Sequence, residues 1–187
     1  MNAYASAYAS NPTTEGSFLE SPYTTSLRDV RDRAEQAKVL VAEVQGRVVG
    51  TITYVPDESN PYAEFRDPDA AGIRMLAVAD GSRRSGIARQ LVQECSHLAR
   101  AQSKTRIILH TTPWMSAAAN LYESLGFVRS PERDMRVSRD TSTAHTPGIH
   151  LRAYELILVR DNASESLGRQ LINDASHHQH DVGHAEG

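Results

Sequence analysis

An apolar run stops at Val78, a short turn of small and polar residues follows, and a helical pattern opens near Gly86. A strand that feeds a helix this directly constrains the fold more than any other stretch of the chain. The helix must lie back along a sheet, and its first turn then leaves backbone N–H groups unpaired at the strand's end. The positive end of the helix dipole points to the same spot. Helix starts of this kind bind phosphate, and Arg83 and Arg84 in the turn add positive charge.

Two nucleotide motifs fail on this stretch. Gly81 and Gly86 have the separation of a P-loop, but Ile87 and Ala88 stand where Lys and Ser/Thr would be needed for the phosphates and Mg²⁺. The dinucleotide fingerprint fails as well, because Ser82 and Arg83 follow Gly81 where a second glycine is required.

What remains is Arg83-x-x-Gly86-x-Ala88. It resembles the acyl-CoA loop of the GNAT superfamily of N-acetyltransferases, Gln/Arg-x-x-Gly-x-Gly/Ala. A second stretch, Ala119 to Phe127, resembles the same family's Leu-Tyr-x-x-x-Gly-Phe motif through Leu121, Tyr122, Gly126 and Phe127. The hairpin residues 46–50 also fit. The resemblance spans about residues 21–160 and implies a GNAT fold: an α/β (α+β) domain whose mixed, mostly antiparallel sheet has helices on both faces and a central splayed parallel strand pair. It further implies that Arg83, Arg84, Ser85, Gly86, Ile87 and Ala88 wrap the pyrophosphate of coenzyme A. The backbone of Leu76, Ala77 and Val78 would pair with the pantetheine arm.

Local patterns place the elements. Leu27, Val30 and Ala34 have helical spacing after Ser21-Pro22. Residues 39–44 and 48–55 are β-branched strands around a turn at 45–47. The stretch 56–68 is loop, 73–78 strand and 85–102 helix. A strand over 106–111, a helix over 115–125 capped by Gly126, a strand from 127, an excursion over 131–152 and a strand over 153–160 follow. The unit 73–111 reads as a right-handed parallel crossover.

Residues 1–20 are small and polar and read as a flexible segment. The family's first strand has no counterpart there, which would leave a sheet edge exposed. Residues 161–187 read as a disordered tail, so its His177, His178, His180 and His184 imply no metal site. A net charge of −3 argues against nucleic acid. The lone Cys95 sits in an apolar helical stripe and reads as core. With no disulfide framework, signal peptide or membrane-length apolar run, the expected setting is the cytoplasm, off the membrane. A homodimer through the hairpin or the last strands is compatible with the pattern.

Acetyl transfer from a thioester to an amine needs a base for the amine, donors for the oxyanion and an acid for the thiolate. Tyr122 is the expected acid, because the family's matching tyrosine lies near the sulfur. For the base, many relatives carry Glu where this chain has Gly72, so His110 is the first candidate, with Glu43 and Glu64 behind it. Met115 stands where the family often has an Asn against the cofactor. The acceptor, a small-molecule amine or a peptide amine, would meet loops 56–70 and 131–152. Their Asp57, Glu58, Asp67 and Asp69 stand against Arg133, Arg136 and Arg139. The expected function is therefore acetyl-CoA-dependent N-acetylation by direct attack in a ternary complex. The competing reading is a catalytically weak acyl-CoA sensor of the same fold.

Overall fold

The computed structural model describes Leu27 and residues 29–137 and 149–159. The expectations for the first 20 residues, for the histidine-bearing tail and for Arg139 lie outside them. Among the described residues there are three helices: α1 (Val30–Gln36), α2 (Ile87–Ala101) and α3 (Ser116–Ser124). The strands are β1 (Lys38–Val44), β2 (Arg47–Val55), β3 (Ala70–Val78), β4 (Arg106–Thr111), β5 (Val128–Arg129), β6 (Met135–Val137) and β7 (Ile149–Ile157). They form one sheet in the order β1-β2-β3-β4-β7-β5, with β6 on β7. Among the described residues only the β3–β4 pair is parallel.

Sequence explains most of these boundaries. The β1–β2 hairpin closes through Gln45 and Gly46, both at positive φ (50° and 73°), the mirror-image turn that suits strand twist. Along α2, Ile87, Leu91, Val92, Cys95 and Ala99 are buried at helical spacing. They meet Ile52 and Tyr54 of β2, Ile73 of β3 and Ile107 and Leu109 of β4, and α3 adds Tyr122 to the same cluster. The Tyr54 hydroxyl donates to Gln102 Oε1 at 2.7 Å, tying β2 to the far end of α2.

The opposite face carries a smaller core of Val55, Phe65, Ala70 and Ile108, with Tyr62 and Ala63 packed against it. Most of its cover comes from the 56–69 loop. That loop is fastened to α1, where Tyr62 donates to Asp32 Oδ2 at 2.6 Å and Asn60 to the Gln36 carbonyl at 2.6 Å.

Three boundaries differ from expectation by three residues or more. β3 starts at Ala70, three residues early, because Ala70, Ala71 and Gly72 have weak strand propensity but are fully paired to Arg106, Ile107 and Ile108. The 131–152 stretch is more than a loop: Met135, Arg136 and Val137 pair with Leu151, His150 and Ile149, so β7 begins at Ile149. Each run is only three residues long, which hides its alternation among charged neighbours. β7 also ends at Ile157, short of the expected residue 160.

Candidate active site

The parallel pairing of β3 with β4 covers only Ala70 to Ile73 against Arg106 to Leu109. Beyond it β4 continues along β7 to Thr111, while β3 continues along β2 to Val78. The two strands therefore splay and leave a wedge between them. A bulge sharpens it. Thr51 and Thr53 of β2 face Ala77 and Arg74, so β3 carries one residue too many, and Met75 takes it up at φ +55°. The Ala79 N–H is spent on the Val49 carbonyl at 2.8 Å, so by strand alternation the N–H and C=O of Val78 turn to the open edge.

At the wedge's far end lies the loop that opens α2. Asp80–Ser82 forms one 3₁₀ turn, and Ser85 Oγ donates to the Ser82 carbonyl at 2.6 Å. Arg84 and Gly86 both have positive φ (63° and 85°), which curls the backbone around the helix start. A Cβ built on Gly86 would meet no atom within 4 Å, so the space beside it is open. No side chain caps α2. Gln90 N–H to the Gly86 carbonyl is its first bond, at 3.0 Å, and the N–H groups of Ile87, Ala88 and Arg89 precede it.

The charge at this end is positive. The first turn of α2 has no acid, although acids are what a helix dipole favours there. It carries Arg89 instead, whose Nη2 donates to Ser124 Oγ of α3 at 3.0 Å. Arg83 is ion-paired with Asp80 at 2.8 Å, both half exposed. Arg89 was missed from sequence; the signal was a base where a helix start prefers an acid.

On the α2–α3 side of the wedge, Tyr122 is buried at 7 % exposure, its ring 5.7 Å from Phe127 and 6.4 Å from Tyr154. Burial, with a smaller push from nearby Cys95, raises its phenol well above the ordinary tyrosine value, so it keeps its proton at neutral pH. Among the described residues its hydroxyl has no hydrogen-bond partner, nor is it among the sealed polar atoms. Next to the wedge, at the end of β4, the buried Thr111 and Thr112 hydroxyls are also without partners, another feature invisible in sequence.

The other side brings together residues far apart in the chain. Ile108 faces the smaller core, so His110, two residues on, faces the same way. The His110 side chain is 3 % exposed while the residue as a whole is half-buried, which leaves its main chain open at the wedge. Its Nε2 lies 2.9 Å from the Arg133 carbonyl and its Nδ1 3.7 Å from Glu64 Oε2. Arg74 Nη2 holds the other Glu64 oxygen at 2.5 Å. Glu43 is not brought here: it lies exposed on the edge strand β1, opposite Val48.

Gly72 could not carry a carboxylate in this packing, because a Cβ there would lie 2.6 Å from Phe65 Cε1. Met115 sits at the N-cap of α3 and makes no cap bond with its side chain. Many of the loop charges satisfy one another. Asp67 binds Arg133 at 3.0 Å and Arg106 at 3.8 Å, while Arg133 also approaches Glu155 at 3.7 Å. Their mixed signs therefore say little about an acceptor's charge.

The wedge, the uncapped helix and the Tyr122 side define an acyltransferase architecture, and comparison agrees. The acetyltransferase (GNAT) family matches residues 4–127. The chain belongs to that family. Human N-acetyltransferase 8B is 31% identical over 106 residues, covering 57% of this chain and 45% of the relative. The chain spans less than half the length of the curated relatives it matches. Among solved structures, the ribosomal-protein-alanine N-acetyltransferase of Brucella melitensis is 26% identical with a TM-score of 0.50, covering 73% of this chain and 77% of that one. A Bacillus subtilis acetyltransferase in complex with CoA reaches a TM-score of 0.56 at 16% identity, covering 75% and 88%. Among the described residues no helix is long and apolar enough to cross a membrane.

Proposed function

We propose that this chain moves an acetyl group from acetyl-CoA to a primary amine by direct attack in a ternary complex, in the cytoplasm. The observation that carries the reading is the splayed β3–β4 wedge ending at an uncapped, base-flanked helix start. Coenzyme A has matching chemistry: a pyrophosphate for the amides of residues 83–88, and an arm with amides that can add a strand along Leu76, Ala77 and Val78. The related fold that holds CoA supports the same ligand.

With the arm so laid, the thioester falls beside the β3 bulge. There a main-chain N–H of the 76–78 stretch would stabilise the oxyanion. Tyr122, kept protonated by burial, would hand its proton to the departing thiolate. The amine enters from the face opposite α2 and α3.

The test is release of free thiol from acetyl-CoA over a panel of primary amines. Turnover on at least one amine, reduced about 100-fold in kcat by Tyr122→Phe with acetyl-CoA binding kept, is the expected result. Binding without turnover on any amine, unchanged by Tyr122→Phe, would establish the sensor reading instead.

A further inference from the structure

We propose that His110 accepts the amine's proton at Nδ1, and that Glu64, delivered by the 56–69 loop, is the carboxylate that stabilises the imidazolium. The inference rests on the acetyl-transfer reading above and names the base that reading lacks.

The tautomer follows from the partner. A carbonyl has no hydrogen to give, so the 2.9 Å contact with Arg133 O requires the proton on Nε2. In the neutral ring Nδ1 then carries the lone pair. Among the described residues nothing donates to it, and Glu64 Oε2 lies 3.7 Å away. A lone pair facing a carboxylate is poorly matched, whereas a protonated Nδ1 facing it is well matched.

Every partner in this arrangement is itself held. Arg74 grips Glu64 at 2.5 Å and donates to the Tyr62 carbonyl at 3.1 Å. Arg133 is fixed by its N–H to the Ser130 carbonyl at 3.0 Å and by Asp67. The charged groups of this network are Glu64 and Asp67 from the loop, Arg74 from β3, Arg106 from β4, Arg133, and Glu155 of β7. His110 is also the first residue past the last β3–β4 pair, Ile73 with Leu109. It therefore flanks the wedge from the face opposite Tyr122. The strand position for a carboxylate, Gly72, is shut by Phe65, and the very next loop residue back is Glu64.

In the balanced step, the ammonium passes one proton to His110 Nδ1. The freed nitrogen attacks the thioester carbon, forming the C–N bond. As the C–S bond breaks, Tyr122 protonates the sulfur, and the adduct nitrogen's surplus proton restores Tyr122. His110 then returns its proton to solvent.

His110→Gln keeps a donor for the Arg133 carbonyl but cannot take a proton. It should lower kcat/KM about 100-fold on the most active amine of the panel and flatten the acidic limb of the pH profile, with acetyl-CoA affinity unchanged. Glu64→Gln should move that limb to lower pH and cost a smaller factor, roughly tenfold. NMR of the imidazole nitrogens should show the neutral ring protonated at Nε2. Wild-type kcat/KM and an unaltered limb in His110→Gln, or a neutral ring protonated at Nδ1, would overturn the proposal. Failure of the wild-type protein to bind acetyl-CoA would instead overturn the acetyl-transfer reading, and the NMR result would still decide the tautomer.

Discussion

The two ends of the wedge are built in opposite ways. At the end proposed for the donor, residues 76–89 are nearly continuous, and the groups on offer are main-chain: the free edge of Val78, the positive φ of Gly86 and the unpaired amides that open α2. At the end proposed for the acceptor the groups come from four separate segments: the side chains of Glu64, Arg74 and His110 and the turn at Arg133. A site made of consecutive backbone needs only a local motif. A site made of distant side chains depends on how loops pack, and can vary without disturbing the sheet.

That contrast is broken most sharply by Gly86→Asp. The space beside it is open, so an aspartate fits at the cost of some strain at the left-handed φ, and its carboxylate would sit among the amides proposed to hold an anion. Acetyl-CoA affinity should fall at least 100-fold, about 2.7 kcal/mol, with the far-ultraviolet circular dichroism unchanged. Undiminished binding in titration calorimetry would detach the phosphate from this loop.

At the acceptor end the largest stability effect belongs to Gly72→Ala. The added methyl would press on Phe65 at 2.6 Å and destabilise the fold by about 2 kcal/mol in urea unfolding. In a Phe65→Ala background the same change should cost far less, and acetyl-CoA binding should be untouched in both. Simple additivity of the two would show that Phe65 does not close the Gly72 position.

A smaller effect is expected behind the acceptor end. Asp134 takes paired bonds from Arg129 at 2.7 Å each and further bonds from His150 and the Ala153 N–H. The Arg129 bonds, the largest cause, hold its carboxyl well below the usual aspartate range. A depressed folded-state value contributes stability that is present above the unfolded aspartate's titration and lost as pH falls below it. Asp134→Asn should therefore lower stability by about 1–2 kcal/mol at pH 7, and the gap to wild type should close toward pH 2 in thermal melts. A gap independent of pH would mean that packing, not charge, is at work.

The smallest effect concerns the core both ends share. Cys95 is fully buried, and burial pushes its thiol up to about 12. A thiol reagent at pH 8 should leave the native protein unmodified and label it only after denaturant is added.

Legibility in the sequence follows the same division. Arg83-x-x-Gly-x-Ala and the Leu-Tyr-x-x-x-Gly-Phe motif were readable because local chemistry fixes both: a positive φ, a thin first helical turn and a capped helix end. The Gly126 cap appears as expected, at φ +89°. The β6–β7 pairing was not readable, because its three residue pairs carry too little alternation to stand out from their charges. Nor was the choice among Glu43, Glu64 and His110. Only the packing of Phe65 on Gly72 brings Glu64 to His110, and only the β1–β2 register sends Glu43 to the edge. Arg89 could have been found, since a base in the first turn opposes the helix dipole.

The central claim is that acetyl-CoA lies in the wedge between β3 and β4 with its pyrophosphate on the start of α2. Backbone amide NMR shifts followed during titration with acetyl-CoA test it most directly. The account predicts that the largest changes fall on residues 76–78 and 83–89, with the 43–48 hairpin end unmoved. Saturable binding with its largest changes elsewhere in the sheet, and none at the start of α2, would contradict it.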